Sequence, residues 1–258
     1  FHVVRTNDVW LKAYVWEIGA FGPAGPYGAE PVAKPNPVSL YLMMGVNGIW
    51  GWGIPGIDNA THGPQRFSKV AGHARNYHSF GWDVKDPDTI PDYDKMARGG
   101  GTDGQWWLNW DDVYKGWVKA GFEIDASIQF LPSSQPVSSW NNPYSAAYNY
   151  SKAFAKHFGS TNGTGHIKAM EWGNEPWSYS AGFYQLTLSG AVRGAKAGDP
   201  KMIVMPCALQ ANDATSDNYI GNHVAEADLE FIDVLNIHAY SYWYNDSGIL
   251  VGEHPEHS

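Results

Sequence analysis

A chain of 258 residues is long enough to bury a full hydrophobic core and short enough for one domain. With 43% hydrophobic and 17% charged residues it reads as globular rather than disordered, and its net charge of -9 argues against nucleic acid and anionic membranes, which need basic patches. The single Cys207 excludes an intrachain disulfide framework, and no apolar run approaches the roughly 20 residues of a membrane helix.

The sequence opens at Phe1 with neither an initiator Met nor a leader, which reads as a mature or trimmed protein. Residues 9–18 carry a strand-like pattern, and a Gly/Pro-rich loop follows over 22–37. Residues 1–37 are therefore read as a β-rich N-terminal segment and 38–258 as the main unit. An apolar run over 38–44 opens that unit. Thereafter strands and helices alternate: a helix over 65–73, a strand over 74–84, and a helix over 107–120 that Gly121 stops. A strand over 122–130 and a helix over 144–158 follow, then a strand over 167–172 and a helix over 180–197 closed by Asp199-Pro200. The last elements are a strand over 201–206, a short helix over 219–227 and a strand over 231–238. Such alternation implies a mostly parallel sheet in an α/β fold.

Polar and aromatic residues gather at the C-terminal end of nearly every expected strand, which favours a (β/α)8 TIM barrel over a doubly wound sheet. About six βα units are visible, so the barrel reads as truncated after the sixth. Aromatic residues make up 15% of the chain, more than a core needs, and suggest a ring-lined ligand surface. Of the 13 tryptophans, Trp82, Trp177 and Trp243 follow strand ends and are the expected platforms. Residues 99–104 are glycine-rich but follow no strand and lack the phosphate-binding Lys. Asp86, Asp88, Asp92 and Asp94 crowd one loop, read as solvated with a Ca²⁺ site as the alternative. No other cofactor is indicated. Cys207 reads as a buried, small apolar residue.

The most loaded stretch is 169–177, ending Trp172-Gly173-Asn174-Glu175-Pro176-Trp177. A carboxylate just past a strand end, beside an amide and flat rings, suits sugar cleavage: the acid protonates a leaving oxygen, the amide holds a hydroxyl, and a ring carries a pyranose face. Glu171 sits on the strand itself, among the helices or paired with a base.

These residues resemble the clan A glycoside hydrolases, retaining enzymes on (β/α)8 barrels. Trp172 to Pro176 is similar to the clan's fourth-strand motif, which implies Glu175 as general acid/base and Asn174 on the sugar 2-hydroxyl. Arg75 resembles the second-strand Arg, with a plain ion-pair role as the alternative. Asn236-Ile237-His238-Ala239-Tyr240 resembles the sixth-strand motif, which implies His238 and Tyr240 at the sugar or the nucleophile. The run from Tyr77 to Asp83 is similar to family 39 and to agarase- or porphyranase-like members, and His78 is expected at a subsite. The clan's nucleophile stands on the seventh strand, so here it is expected beyond Ser258, with Glu253 and Glu256 as weak substitutes.

The resemblance implies a retaining hydrolase of a polysaccharide, with agar-type galactan as one instance, secreted or periplasmic. Two alternatives stay open: a non-catalytic carbohydrate-binding protein or inactive fragment on the same barrel, and a polysaccharide lyase.

Overall fold

The computed structural model describes residues 2–6, 9–14, 41, 44–49, 63–97, 109–176, 178–207, 220–236, 238, 242–244, 247 and 250–252. The protein forms two compact units. Residues 39–238 make one, and residues 1–38 together with 239–258 make the other. In the smaller unit β1 (His2–Thr6) pairs antiparallel with β2 (Val9–Tyr14), and β8 (Tyr242–Tyr244) pairs antiparallel with β9 (Leu250–Gly252).

The larger unit is built on five parallel strands: β3 (Gly45–Asn47), β4 (His73–Ser79), β5 (Glu123–Gln129), β6 (Ala169–Trp172) and β7 (Ile203–Pro206). They lie side by side in sequence order. Helices α1 (Gly63–Phe67), α2 (Phe80–Asp83), α3 (Tyr93–Ala97), α4 (Trp110–Lys119), α5 (Pro143–Phe158) and α6 (Ala181–Gly198) run between them, and α7 (Ile220–His223) follows β7. Sequential parallel strands with intervening helices are part of a (β/α)8 barrel.

Local chemistry sets the long helices. Asn109, Asn142 and Ser180 each accept a hydrogen bond from a first-turn N–H, of Asp112, Ser145 and Phe183 respectively. Asp111 and Asp112 add negative charge at the α4 N-terminus, and Pro143 starts α5 with its φ already helical. The helix-facing side of the sheet, with Ala74, Ile124, Ala126, Ile128, Met170 and Trp172, is buried against these helices. Trp110, Tyr114 and Trp117 of α4 join Tyr150, Phe154 and Phe158 of α5 in that core.

Part of the tryptophan content serves the core. Trp110, Trp117, Trp140 and Trp172 are all core residues. The strand expected over 231–238 is corrected. A 3-10 turn, Glu226–Phe231, takes up its first residue. The segment behind it makes one backbone bond to β7, from Asp233 N to Val204 O, and leaves Val234 and Leu235 exposed. No helix among the described residues is long and apolar enough to cross a membrane.

Candidate active site

Alternation along β4 decides which side chains meet. Residues an odd number apart point to opposite faces, so Arg75 and Tyr77 share one face while Asn76 and His78 share the other. Register places Asn47 of β3 and Asp125 of β5 on either side of Arg75, and Ser127 beside Glu171 of β6. These polar residues line the face of the sheet away from the helices, the inside of the barrel.

Arg75 is the hub. Its Nε donates to Glu171 Oε2 at 2.7 Å, with one terminal nitrogen 2.6 Å from the same oxygen. The other contacts are Asn174 Oδ1 at 2.9 Å and Asn47 Oδ1 at 3.2 Å. The guanidinium also stands over the Tyr77 ring, 4.9 Å from its centroid. Asn236 Nδ2 donates to the remaining Glu171 oxygen at 2.7 Å. Burial works against the Arg75 charge, and the Glu171 carboxylate more than offsets it, so the net effect is a raised pKa. Glu171 has no exposed surface. Burial raises its pKa, Arg75 lowers it and Asp125 raises it again, with a net rise to about 7.

The turn after β6 is bent sharply. Gly173 has φ +92° and Glu175 has φ +49°. The second value is left-handed backbone in a residue with a Cβ, a conformation that costs on the order of 1–2 kcal/mol and clusters at functional sites. Ser127 Oγ donates to the Gly173 carbonyl at 2.8 Å and pins the turn to β5. The Glu175 carboxylate faces His238, with Oε1 2.8 Å from Nδ1. Either group can donate in that contact, a neutral carboxyl through its O–H or the imidazole through Nδ1–H. Asn174 has its orientation fixed: Oδ1 accepts from Arg75, so Nδ2 is the donor the amide presents elsewhere.

Arg75, Asn174, Glu175 and His238 are thus brought together. His78 is not with them. It is fully buried on the helix side, stacked on Trp110 at 4.1 Å. Its Nδ1 lies 2.6 Å from Tyr114 Oη, and its Nε2 lies 2.6 Å from Asp83 Oδ2. Asp83 also accepts from Tyr93, Tyr150 and Trp110. The subsite expectation fails because three residues from Arg75 is the wrong parity. Trp82 is half-buried and stacks on Trp110 at 6.1 Å. Trp177, Tyr240, Glu253 and Glu256 lie outside the described residues, and of Trp243 only the strand is described. In the acidic loop, Asp86 accepts from the Asp88 N–H, Asp88 from that of Asn141 and Asp92 from that of Lys95, while Asp94 pairs with His157. No group of three His, Cys, Asp or Glu among the described residues is arranged to hold a metal ion. Cys207 is buried, which pushes its thiol up.

Sequence reasoning missed Asp125, Asn47 and the Asn236–Glu171 bond. A signal for the first was present. Glu123, Asp125, Ser127 and Gln129 alternate with Ile124, Ala126, Ile128 and Phe130. In a parallel strand covered on its apolar side, such a polar row marks the barrel interior.

No protein-family model and no curated protein matches the sequence. Solved structures do. An endo-1,4-β-mannanase from Rhizomucor miehei superposes with a TM-score of 0.52 at 12% identity, over 80% of this chain and 69% of its own. An exo-β-1,4-mannosidase from Opitutaceae bacterium strain TAV5 superposes with a TM-score of 0.50 at 14% identity, over 76% of this chain and 38% of its own. The protein therefore spans less than half the length of the mannosidase, and at these identities the likeness establishes the barrel fold.

Proposed function

We propose that this protein holds the acid/base half of a retaining glycoside hydrolase that cleaves a polysaccharide. One observation carries this reading. Glu175 sits past the end of the fourth of five consecutive parallel strands, in left-handed backbone, facing His238 and next to an Asn174 that Arg75 orients. The C-terminal ends of the strands are where barrel enzymes do their chemistry.

Double displacement asks two things of Glu175: to give a proton to the departing glycosidic oxygen, then to take one from the attacking water. His238 is suited to both states, since Nδ1 accepts from the neutral carboxyl and, as N–H, donates to the carboxylate. The second carboxylate must stand about 5 Å from the first, and we assign it to a residue that follows His238 in the sequence. Glu171 is not that group, because both its oxygens are taken by Arg75 and Asn236.

The substrate class we propose is a neutral β-linked polymer. Of the run Tyr77 to Asp83 that suggested an agarase-like or family 39 placement, His78, Phe80 and Asp83 belong to the buried core, while Tyr77 lies under Arg75 and Trp82 is half-buried. The three core residues therefore say nothing of the sugar. Agar-type galactan stays a member of the test panel, and β-mannan joins it because both similar structures bear mannan-directed names. A polymer substrate places the site of action outside the cytoplasm. Cell fractionation tests this, and recovery of the mature protein in the cytosol alone would count against it.

The activity test uses the natural protein and Glu175→Ala. Removing the acid is expected to lower kcat on polymers by about 10²–10⁴-fold. Aryl glycosides with good leaving groups should still form the glycosyl-enzyme, and azide should then restore turnover. Azide attacks the anomeric carbon, forms a C–N bond and releases the enzyme carboxylate, giving a glycosyl azide of retained configuration. Full activity in Glu175→Ala sinks the assignment. Saccharide binding with no turnover by the unmutated protein favours the binding-protein reading.

A further inference from the structure

Beneath the Arg75 layer the barrel interior opens into a cavity of about 360 Å³ along the strand starts, lined by Gly45, His73, Asp125, Ala169, Ile203 and Met205 among others. Asp125 lies at its inner end, level with Arg75 across the β4–β5 register. Its Oδ1 is buried and has no hydrogen-bond partner among the described residues. Asp125 is half-buried as a residue, but a carboxylate oxygen buried without a donor is costly, and Arg75 next to it already serves Glu171, Asn174 and Asn47. The buried Glu171 and the half-buried Asp125 thus both lie beside Arg75.

We propose that Asp125 is a positioning residue. It competes with Glu171 for the one guanidinium of Arg75, and this division sets where Arg75 holds the side chain of Asn174 beside Glu175. The inference rests on the hydrolase reading only for its kinetic consequence.

Electrostatics agree with the geometry. Asp125 raises Glu171, Arg75 lowers both acids, and burial lifts Asp125 itself to about 6. The other titratable groups bearing on the pair are Tyr77 from β4, Tyr114 from α4, Tyr184 from α6 and Cys207 beyond β7. His73, Glu123 and Lys168 stand at the cavity's mouth, and Glu175 and His238 stand above it. Coupled acids of this kind share their protons, so a change at one is read at the other.

The test is an infrared titration of the natural protein with carboxyl bands assigned through Glu171→Gln. In Asp125→Asn, Arg75 is left to Glu171 and a neighbouring negative charge is gone. Both effects favour the Glu171 carboxylate, so Glu171 is expected to ionise at lower pH. If Asp125→Asn does not fold, the reciprocal experiment applies: in Glu171→Gln the Asp125 band should move to lower pH. A Glu171 titration unmoved in folded Asp125→Asn, or an Asp125 band unmoved in Glu171→Gln, overturns the proposal. Kinetically, the pH profile of kcat/KM should shift towards acid in Asp125→Asn and return towards the parent in Asp125→Glu. The infrared result stands whether or not the protein hydrolyses any glycoside, so a band shift without activity would sink the hydrolase reading alone.

Discussion

At the scale of residues, the site is organised by a scarcity of positive charge. Arg75 is 2.6 Å from one acid and lies beside another across the β4–β5 register, and it also orients the amide next to the Glu175 carboxylate. The consequence for stability has a definite sign. Glu171 holds its proton more tightly folded than unfolded, so the native state binds more protons between pH 4.5 and about 7. Its stabilising contribution is complete below pH 4.5 and is lost as pH rises through about 7. The difference between 4.5 and about 7, at 1.36 kcal/mol per unit, is on the order of 3 kcal/mol. Urea unfolding from pH 4 to 8 should therefore show the parent losing stability relative to Glu171→Gln across that window. Parallel curves for the two proteins would remove Glu171 as the titrating group. Little of this was legible in the sequence. The fourth-strand motif marked Glu175 and Asn174, because strand, turn and acid are adjacent along the backbone. The Arg75–Glu171 pair joins residues 96 apart, and only strand register reveals it.

At the scale of elements, α5 and α6 pack with their backbones in close approach. A Cβ on Gly190 would come within 2.1 Å of the Tyr144 carbonyl oxygen, and one on Gly194 within 2.2 Å of that of Tyr148. The spacing of four keeps these glycines on one helix face, where the two backbones touch. Gly190→Ala should destabilise by about 1–3 kcal/mol through forced separation of the helices, exceeding the ~1 kcal/mol gained in helix propensity. Gly182 is the control: nothing lies within 4 Å of its added Cβ, so Gly182→Ala should be neutral or mildly stabilising. Thermal melting of both variants checks this, and equal midpoints would remove the close approach as a cause. The alternation of strands and helices was legible because apolar period and stop signals such as Gly121 and Asp199-Pro200 are local. The strand expected over 231–238 was not, since an apolar run signals neither period nor partner. Here the Asp233 side chain takes the Val204 N–H and Lys196, and the apolar pair Val234 and Leu235 is left outside.

At the scale of the whole molecule, charge bears on which polymer the proposed hydrolase would accept. A net charge of -9 repels polyanions in general and leaves neutral polymers unaffected. Among polymers of one backbone, a sulfated form should therefore be bound more weakly than the neutral form, with the penalty appearing in KM rather than kcat. Screening gives the test its control. The Debye length falls from about 8 Å at physiological ionic strength to about 3 Å at 1 M salt, so the gap between neutral and sulfated substrate should narrow as salt is added. The neutral substrate's own KM should hardly move. A discrimination that is indifferent to salt would place its origin in short-range contacts at the subsites. The acidity of the molecule as a whole would then have no part in choosing the sugar.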